Sequence, residues 1–380
     1  MSLFSFHSIP FNKTPFAAAD TTYAILDYRE AADRYSVYKE DSPQEVCKTF
    51  RLHHQGNDSL QSVRFGKAVD RHMLHLENSY VVETVGVFTS DGCFLPWQFT
   101  SLFNHHRALV KAGKVKMERG WWNQLSTARA RVLRGDLFYG DSNYQGYGHF
   151  LLEALPRCWA LPKLGQDKVA VLSGFKRRVR LYGQCLPALG YSAGNIKKFD
   201  KIVYCKHLYV ASQPSGIKRY VTPEAMEVWR AVGRQYSVAH ADTPKKIFIS
   251  RAKVERRGLK NQCELEAIFK SKGFYVCHPE IMKFSDQVRL FANATHIAGP
   301  YGSAIFNALF AQHPAALLVF CSDTDFFSHF PCFAEQFTLD AFLAEQPQSD
   351  DGISPYERDW EIRDMDYCTA VIEQWLAENR

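Results

Sequence analysis

A histidine and a glutamate suited to proton transfer, His149 and Glu153, lie four residues apart in GDSNYQGYGHFLLEALPR, residues 140–157, and Arg157 follows four residues later. A loop rich in glycine, which contains Asn143, precedes His149. In a helix, Glu153 and Arg157 would lie on the same face as that histidine. A carboxylate four residues from an imidazole can orient the ring and stabilise its charge. The alternative is a capping histidine with ordinary ion pairs on a solvated helix surface.

A second group of charged residues follows an apolar strand pattern. KIFI leads into Ser250 and Arg251, and Arg257 follows in a basic loop. Ligands bind beyond the carboxyl ends of strands in open α/β sheets, and a guanidinium can bind diphosphate oxygens through two hydrogen bonds. The alternatives are a solvated basic loop or a nucleic-acid patch. The run 251–260 contains no aromatic residue, so a platform for stacked bases is not indicated.

A third segment, HIAGPYGSAIFNALF at 296–310, predicts a strand that turns through Gly299, Tyr301 and Gly302 into a helix beginning at Ser303. Glycines in such a turn let the backbone approach a ligand, and the helix N-terminus offers free N–H groups to a phosphate. Many strand–helix turns contain glycine, so this signal is weak alone. The turn lacks the full GxGxxG fingerprint, which argues against an NAD dehydrogenase.

Two carboxylates after the last apolar strand give a candidate metal site. Asp323 and Asp325 in CSDTDFF have a spacing that could hold a divalent cation. The preferred alternative is a solvated acidic turn after a strand. The sequence therefore predicts no metal site, and Asp323 and Asp325 remain the metal-binding alternative.

The order of the predicted elements indicates an α/β fold. A helix bent near Pro156 is expected over 149–161, and another over 222–238. Strands and helices then alternate, which is typical of βαβ units and a parallel sheet. The strands are expected at 245–251, 274–279, 295–300 and 315–321, the helices between them at 261–273, 285–294 and 303–311, and a last helix at 364–380.

Composition narrows the class of protein. The chain has 380 residues, 46% of them hydrophobic, which is ordinary globular composition and long enough for two domains. Its ten cysteines form no Cys-x-x-Cys pair, which fits a reducing compartment. The first residues lack the pattern of a signal peptide, and no apolar run is long enough to span a membrane. The net charge of +6 permits an anionic ligand or membrane surface and does not demand nucleic acid.

Taken together and in this order, these segments resemble glycosyltransferase family 61. The first family motif is matched by His149, Phe150, Leu151, Glu153, Leu155, Pro156 and Arg157. The second is matched by Ser250, Arg251, Arg257, Asn261, Glu264 and Leu265, and the third by Phe284, Gln287, Arg289, Leu290 and Phe291. The fourth is matched by Gly299, Pro300, Gly302, Ser303, Asn307, Leu309 and Phe310, with Tyr301 where the family usually has histidine.

The resemblance implies a GT-B-like fold, with two Rossmann-like α/β domains facing a cleft. It also implies an inverting, metal-independent transfer from a UDP-sugar. No cofactor is expected, because the nucleotide sugar is a substrate. Bacterial relatives resemble enzymes of capsule and surface polysaccharide synthesis, so a glycan or lipid-linked glycan acceptor is expected, in the cytoplasm or peripheral to the inner face of the membrane. The alternative is a non-catalytic nucleotide- or glycan-binding module, motivated by Tyr301.

We expect three domains and two sets of site residues. The domains are an acceptor-side domain at 1–239, a nucleotide-sugar-binding domain at 240–345 and a helical segment at 346–380. Glu153 or His149 is expected to be the base, with Asn143 and Arg157 towards the acceptor or cleft. The expected donor contacts are Ser250, Arg251, Arg257, Gly299, Tyr301, Gly302, Ser303 and Asn307.

Overall fold

The structure is a computed structural model whose described residues form two compact units. The first unit comprises Met1–Pro43 and Val69–Pro214, and the second comprises Gln44–Ala68 and Ser215–Arg380. The described residues are 8–9, 22–24, 26–41, 47–64, 70–83, 85–96, 99, 114–116, 130–142, 145–165, 169–216, 220–237, 243–254, 257–334, 336–344 and 358–380.

The strands are short and are distributed over the whole chain. In chain order they are β1 Ser8–Ile9, β2 Thr22–Ala24, β3 Ser36–Glu40, β4 Cys47–His54, β5 Asn57–Arg64, β6 Arg71–Val82, β7 Gly86–Phe88, β8 Lys114–Lys116, β9 Ala130–Tyr139, β10 Val169–Ser173, β11 Ile196–Lys198, β12 Ile202–Ala211, β13 Ser215–Gly216, β14 Tyr220–Val221, β15 Lys246–Ile249, β16 Tyr275–Cys277, β17 His296–Pro300, β18 Ala315–Cys321 and β19 Phe337–Leu343.

The helices include several that are not α-helical. The α-helices are α1 Tyr28–Tyr35, α2 Tyr147–His149, α3 Lys176–Cys185, α4 Pro223–Tyr236, α5 Gln262–Ser271, α6 Phe284–Ala292, α7 Pro331–Ala334 and α8 Met365–Glu378. A π-helix covers Phe150–Ala154, and 3-10 helices cover Pro156–Leu164, Leu186–Leu189, Pro279–Ile281, Ser303–Phe310 and Thr324–His329.

The first unit is built on a mixed sheet with the order β11-β10-β9-β12-β6-β3. The four strands from β11 to β12 are parallel neighbours, whereas β6 pairs antiparallel with both β12 and β3. The parallel pairs need crossover segments, and α3 supplies the one between β10 and β11. The segment from α2 to Leu164 lies between β9 and β10 and carries the predicted proton-transfer pair.

The second unit contains the parallel sheet that the alternating pattern predicted. Its order is β16-β15-β17-β18-β19-β4-β5, and every neighbouring pair is parallel except the hairpin of β4 and β5. Numbered from β15, the first five strands run 2-1-3-4-5, which is a doubly wound order. All of β18 is buried, as expected for a central parallel strand.

A large aromatic core covers one face of this second sheet. Phe248 of β15 stacks on Phe269 of α5 with ring centroids 4.4 Å apart. Trp375 of α8 lies over Phe274, 6.1 Å between centroids, and is fully buried. The predicted C-terminal helix is therefore confirmed, and it packs as part of the core of the second unit.

The α/β class is confirmed, while the division of the chain differs from the predicted one. The second unit begins at Ser215, earlier than the expected start at 240, because α4 packs against α6 and the 3-10 helix Ser303–Phe310. It also takes in Gln44–Ala68, because β4 pairs in parallel with β19. Of the helices in the part of the chain that the structure describes, none combines the length and apolarity that crossing a membrane requires.

A buried histidine joins β4 to β19. Nδ1 of His53 lies 2.8 Å from Oδ1 of Asp58, and its Nε2 lies 3.0 Å from Oδ1 of Asp340. Nε of Arg51 lies 4.0 Å from the same oxygen of Asp340. Burial acts to lower the pKa of His53, but the hydrogen bonds and the negative charges of Asp340 and Asp58 together outweigh it, and the pKa is raised above its usual value. Two carboxylates on opposite ring nitrogens favour the doubly protonated imidazolium.

This arrangement predicts how stability depends on pH. A group with a raised folded-state pKa contributes stability that is fully present below its unfolded-state pKa, about 6.5 for histidine, and is lost as pH rises through the folded value. We expect the difference in free energy of unfolding between the wild type and His53→Gln to shrink as pH rises from about 6 to about 9. Denaturant unfolding at a series of pH values measures it.

The matched control is His54→Gln, because Nδ1 of His54 lies 3.0 Å from the main-chain carbonyl oxygen of Leu343 and no carboxylate bonds to it among the described residues. A difference for His53→Gln that stays constant across the pH range would contradict the charged bridge.

Candidate functional site

Arg251 lies just beyond the carboxyl end of β15 and is mostly buried, with 8% of its surface exposed. Burial and then the like charge of Arg257 lower the pKa of Arg251 to about 10, and the carboxylate of Glu280 acts in the opposite direction. The guanidinium therefore stays protonated at neutral pH with a second positive charge beside it. Such a pair is a suitable site for an anion with more than one negative charge.

The side chain of Arg257 lies close to that of Arg251, and its backbone is strained. Its φ of 55° is left-handed, a conformation that costs an L-residue roughly 1–2 kcal/mol. Its Cζ atom lies 5.4 Å from the ring centroid of Phe326 and 5.8 Å from that of Tyr301. Both distances are within the range of a cation–π contact. Backbone strain of this kind is concentrated at functional sites, which favours a functional role for Arg257.

The two glycines of the predicted turn make room for β15 and its arginine. A methyl group on Gly299 would lie 2.8 Å from the carbonyl oxygen of Ile249. A methyl group on Gly302 would collide with Nη1 of Arg251 and would lie 3.6 Å from Nη2 of Arg257. The close contacts at both glycines are made by atoms of the protein itself, and the approach of a ligand to this turn stays a prediction.

Sheet topology places these residues at the point where the strand order reverses. The chain leaves β15 towards β16 on one side and returns to β17 on the other. Arg251 follows β15, and Tyr301 and Gly302 follow β17, so both predicted segments meet at the adjacent carboxyl ends of these two strands. Ligands bind at this position in open α/β sheets.

Tyr301 is packed in an aromatic cluster and is 9% exposed. Its ring stacks on Phe326 with centroids 4.2 Å apart, and Phe306 meets it edge-on at 6.1 Å. The imidazole of His329 lies 5.6 Å away. This setting favours packing and support of Arg257 as the role of Tyr301, and direct contact with a donor stays a prediction.

Three other predicted donor contacts have different surroundings. The hydroxyl of Ser250 donates to Glu266 at 2.6 Å and accepts from the amide of Ala252 at 3.0 Å, which stabilises the turn after β15. Asn307 is fully buried, and its amide nitrogen donates to Gln287 at 3.0 Å. Both therefore hold neighbouring segments in place. Ser303, by contrast, is exposed at the start of its 3-10 helix.

The predicted proton-transfer pair is formed in the first unit. Nδ1 of His149 lies 2.7 Å from Oε2 of Glu153, and the glutamate side chain is 11% exposed against 35% for the histidine. This burial argues against an ordinary surface ion pair. The segment is not the single bent α-helix that was expected, because Pro156 has no N–H to continue the ladder. Leu155 instead donates to the carbonyl of Phe150, which closes a π-helical turn.

Two residues, Arg157 and Asn143, were expected to lie towards the acceptor or cleft. Arg157 is fully buried and donates through Nη1 to the main-chain carbonyls of Phe99 and Ala211, the latter at 2.9 Å. This placement favours a supporting role, and an acceptor contact by Arg157 stays a prediction. Asn143 lies outside the described residues.

One polar network at the edge of the first sheet was missed from the sequence. Asp141 follows β9 and lies 3.1 Å from Nη1 of Arg178, and it also accepts from Ser173 at 2.9 Å and from the amide of Gly174 at 2.5 Å. Burial raises the pKa of Asp141 against the opposing charge of Arg178. The rule applied to β15 is that ligands bind beyond the carboxyl ends of parallel strands. The same rule would have identified Asp141, because it follows β9.

The alternative metal site at Asp323 and Asp325 receives little support from the described part of the chain. Asp323 follows β18 and is partly exposed, whereas the side chain of Asp325 lies outside the described residues. Among the residues that the structure does describe, no group of three or more histidine, cysteine, aspartate or glutamate side chains is arranged to hold a metal ion.

The crowding at Gly302 yields a test of the arginine pair. In Gly302→Ala the new methyl group would displace the flexible guanidinium of Arg251 without touching rigid backbone. We expect affinity for inorganic pyrophosphate to fall by roughly 1.5–3 kcal/mol, the worth of a charge-assisted hydrogen bond. Isothermal titration calorimetry measures it. The double variant with Arg251→Ala should lose no more than Arg251→Ala alone, and unchanged affinity in Gly302→Ala would contradict this geometry.

Comparison with models of protein families gives a match over the middle of the chain. Residues 147–318 match the family model of Glycosyltransferase 61. No curated protein matches the chain significantly. The matched range includes the His149–Glu153 pair, Arg251, Arg257 and the turn at 299–303. It supports the resemblance to glycosyltransferase family 61 and suggests a glycosyltransferase, which acts on a donor and an acceptor.

Proposed function

We propose that the protein transfers a sugar from a UDP-sugar to a glycan acceptor, with inversion at the anomeric carbon and without a metal ion. The observation that carries the proposal is the arginine pair. Arg251 and Arg257 lie against one backbone position, Gly302, at the strand-order reversal of a parallel sheet. The family match over 147–318 supports the choice of sugar transfer among the reactions that use a diphosphate.

The chemistry needs positive charge where the leaving group forms. When the bond from the anomeric carbon to the β-phosphate oxygen breaks, its electron pair goes to the diphosphate. Preorganised cations at that position stabilise the developing charge. We assign this task to Arg251 and Arg257, since guanidinium groups bind phosphate oxygens through paired hydrogen bonds. Tyr301 and Phe326 would hold Arg257 in place through their rings.

The acceptor must also lose a proton as its oxygen attacks. We assign that proton to the His149–Glu153 pair, whose members are 2.7 Å apart. A single displacement by the acceptor oxygen on the face opposite the leaving group inverts the anomeric centre, in parallel with the inverting glycosidases. The new bond joins the acceptor oxygen to the anomeric carbon, and UDP departs with the electron pair.

We place the acceptor in surface polysaccharide synthesis, on a glycan or a lipid-linked glycan. The net charge of +6 would suit peripheral attachment to an anionic inner membrane surface, and a cytoplasmic location would supply the nucleotide sugar. If the protein only bound nucleotides or glycans, it would release no UDP from any donor, even by slow hydrolysis. A panel of UDP-sugars with and without a chelator tests both the transfer and its independence of metal.

The first prediction for this function concerns donor affinity. Arg251→Ala removes a buried guanidinium from the diphosphate site. UDP binding should weaken by roughly 1.5–3 kcal/mol, and calorimetry measures it directly. Arg234→Ala is the matched control, because this arginine of the same unit is 53% exposed in its side chain and pairs with Glu227 on α4. Equal UDP affinity in Arg251→Ala and the wild type would remove Arg251 from the site.

The second prediction concerns turnover. Glu153→Gln keeps the size of the side chain and removes the carboxylate that bonds His149. Turnover should fall roughly 10²–10⁴-fold while UDP affinity changes little, because general base catalysis is worth about that much. Initial rates of UDP release measure it, with the exposed Glu77→Gln as control. Turnover near that of the wild type would show that Glu153 is only structural.

A further inference from the structure

The basic loop that follows β15 is paired with a segment near the end of the chain. The main chain of residues 258–261 runs parallel to that of residues 359–362. The amide of Trp360 donates to the carbonyl of Gly258 at 3.0 Å, and the carbonyl of Trp360 accepts from the amide of Lys260 at 2.9 Å. Both segments belong to the second unit, so this pairing links the loop to the segment that leads into α8.

Apolar and polar contacts both anchor this pairing. Leu259, Trp360 and Ile362 are each at most 5% exposed and belong to the core that covers one face of the second sheet. The side chain of Asn261 closes one end of the pairing. Its amide nitrogen donates to the carbonyl of Ile362 at 2.8 Å, and its oxygen accepts from the amide of Ile362 at 3.2 Å. The segment 359–362 is therefore held by the core as well as by the loop.

The other end of the pairing acts on the backbone of Arg257. Oδ1 of Asp359 accepts a hydrogen bond from the amide of Gly258 at 2.6 Å. That N–H belongs to the planar peptide unit that joins Arg257 to Gly258, so its direction follows the backbone torsion ψ of Arg257. The φ of Arg257 is 55°, and such a conformation persists in a residue other than glycine only where its surroundings enforce it. Asp359 supplies such a constraint from 101 residues further along the chain.

We propose that Asp359 is a positioning residue for Arg257. Its hydrogen bond to Gly258 holds the left-handed backbone that directs the guanidinium towards the diphosphate. This assignment rests on the proposed function, because it takes the diphosphate to lie at Arg251 and Arg257. Asp359 acts through the loop and does not bind the ligand, since a carboxylate would repel a diphosphate.

Release of this hydrogen bond would let Arg257 leave its place in the site. An L-residue favours the right-handed region, so the loop would relax towards it. Nη2 of Arg257 now lies 3.6 Å from the point that a Cβ atom on Gly302 would occupy. After relaxation the guanidinium would spend less time at that position, and a diphosphate there would lose one of its two cations.

The test compares Asp359→Ala with Asp359→Asn by calorimetry with inorganic pyrophosphate and with UDP. Asp359 is exposed, so both variants should fold, which denaturant unfolding checks. In Asp359→Ala, affinity for both ligands should fall about three- to tenfold, the effect of one partly solvated hydrogen bond. Asp359→Asn keeps an oxygen that can accept from Gly258, so its affinity should stay within about twofold of the wild type. If Asp359 acted only through its charge, both variants would instead bind more tightly.

The matched control is Asp364→Ala. The carboxylate of Asp364 also accepts from a main-chain amide, that of Tyr367 at 2.8 Å, but it does so at the start of α8. This variant should bind pyrophosphate as the wild type does. A loss equal to that of Asp359→Ala would show that any loosening of the C-terminal segment weakens binding, and it would overturn the assignment.

A double variant with Arg257→Ala tests whether Asp359 acts through that arginine. Once the guanidinium is gone, Asp359→Ala should cause no further loss of pyrophosphate affinity. An equal loss in both backgrounds would contradict the assignment, and so would an Asp359→Asn variant as weak as Asp359→Ala.

Two further results separate this inference from the proposed function. If Arg257→Ala weakens pyrophosphate binding while Asp359→Ala leaves it unchanged, the positioning role alone fails. If the wild type binds neither UDP nor pyrophosphate, or if Arg257→Ala binds both as tightly as the wild type, the proposed diphosphate site fails and this inference fails with it.

Discussion

The central constraint in this molecule is that two guanidinium groups must be held together beside one backbone position. Two like charges close together repel each other, and the protein interior screens that repulsion less than water does. Burial of Arg251 adds to that cost, and both effects are visible in its lowered pKa. The rings of Tyr301 and Phe326 offset part of the cost at Arg257. A bound diphosphate would add an attraction to each guanidinium group that opposes their mutual repulsion. The arrangement is therefore suited to an anionic ligand.

The fold of the second unit supplies what that arrangement requires. The central strands β15, β17 and β18 are apolar and buried, so their carboxyl ends are fixed by the core rather than by the loops. Gly299 lets β17 approach β15 closely, and Gly302 leaves the space that the guanidinium of Arg251 occupies. In the first unit, Glu153 lies in the π-helical turn, which places its carboxylate against His149.

Elements with one clear apolar pattern could be predicted, and those that depend on distant polar partners could not. The run AALLVFC became β18 with the expected bounds, and the helix expected over 222–238 became α4. β4 and β19 were missed, because His53 and Asp340 break their apolar patterns and neutralise each other only once the strands pair. At the candidate site, the strand-end rule placed Arg251 beyond β15, but the stacking of Tyr301 on Phe326 could not be predicted, because the two residues lie far apart in the sequence. Contact of Tyr301 with a donor stays a prediction.

The most direct test of the central claim is a crystal structure of the protein with UDP bound. The account predicts diphosphate oxygens within about 3.2 Å of guanidinium nitrogens of both Arg251 and Arg257, at the carboxyl ends of β15 and β17. A nucleotide whose phosphates lie more than about 6 Å from both guanidinium groups, beyond any direct contact, would contradict it.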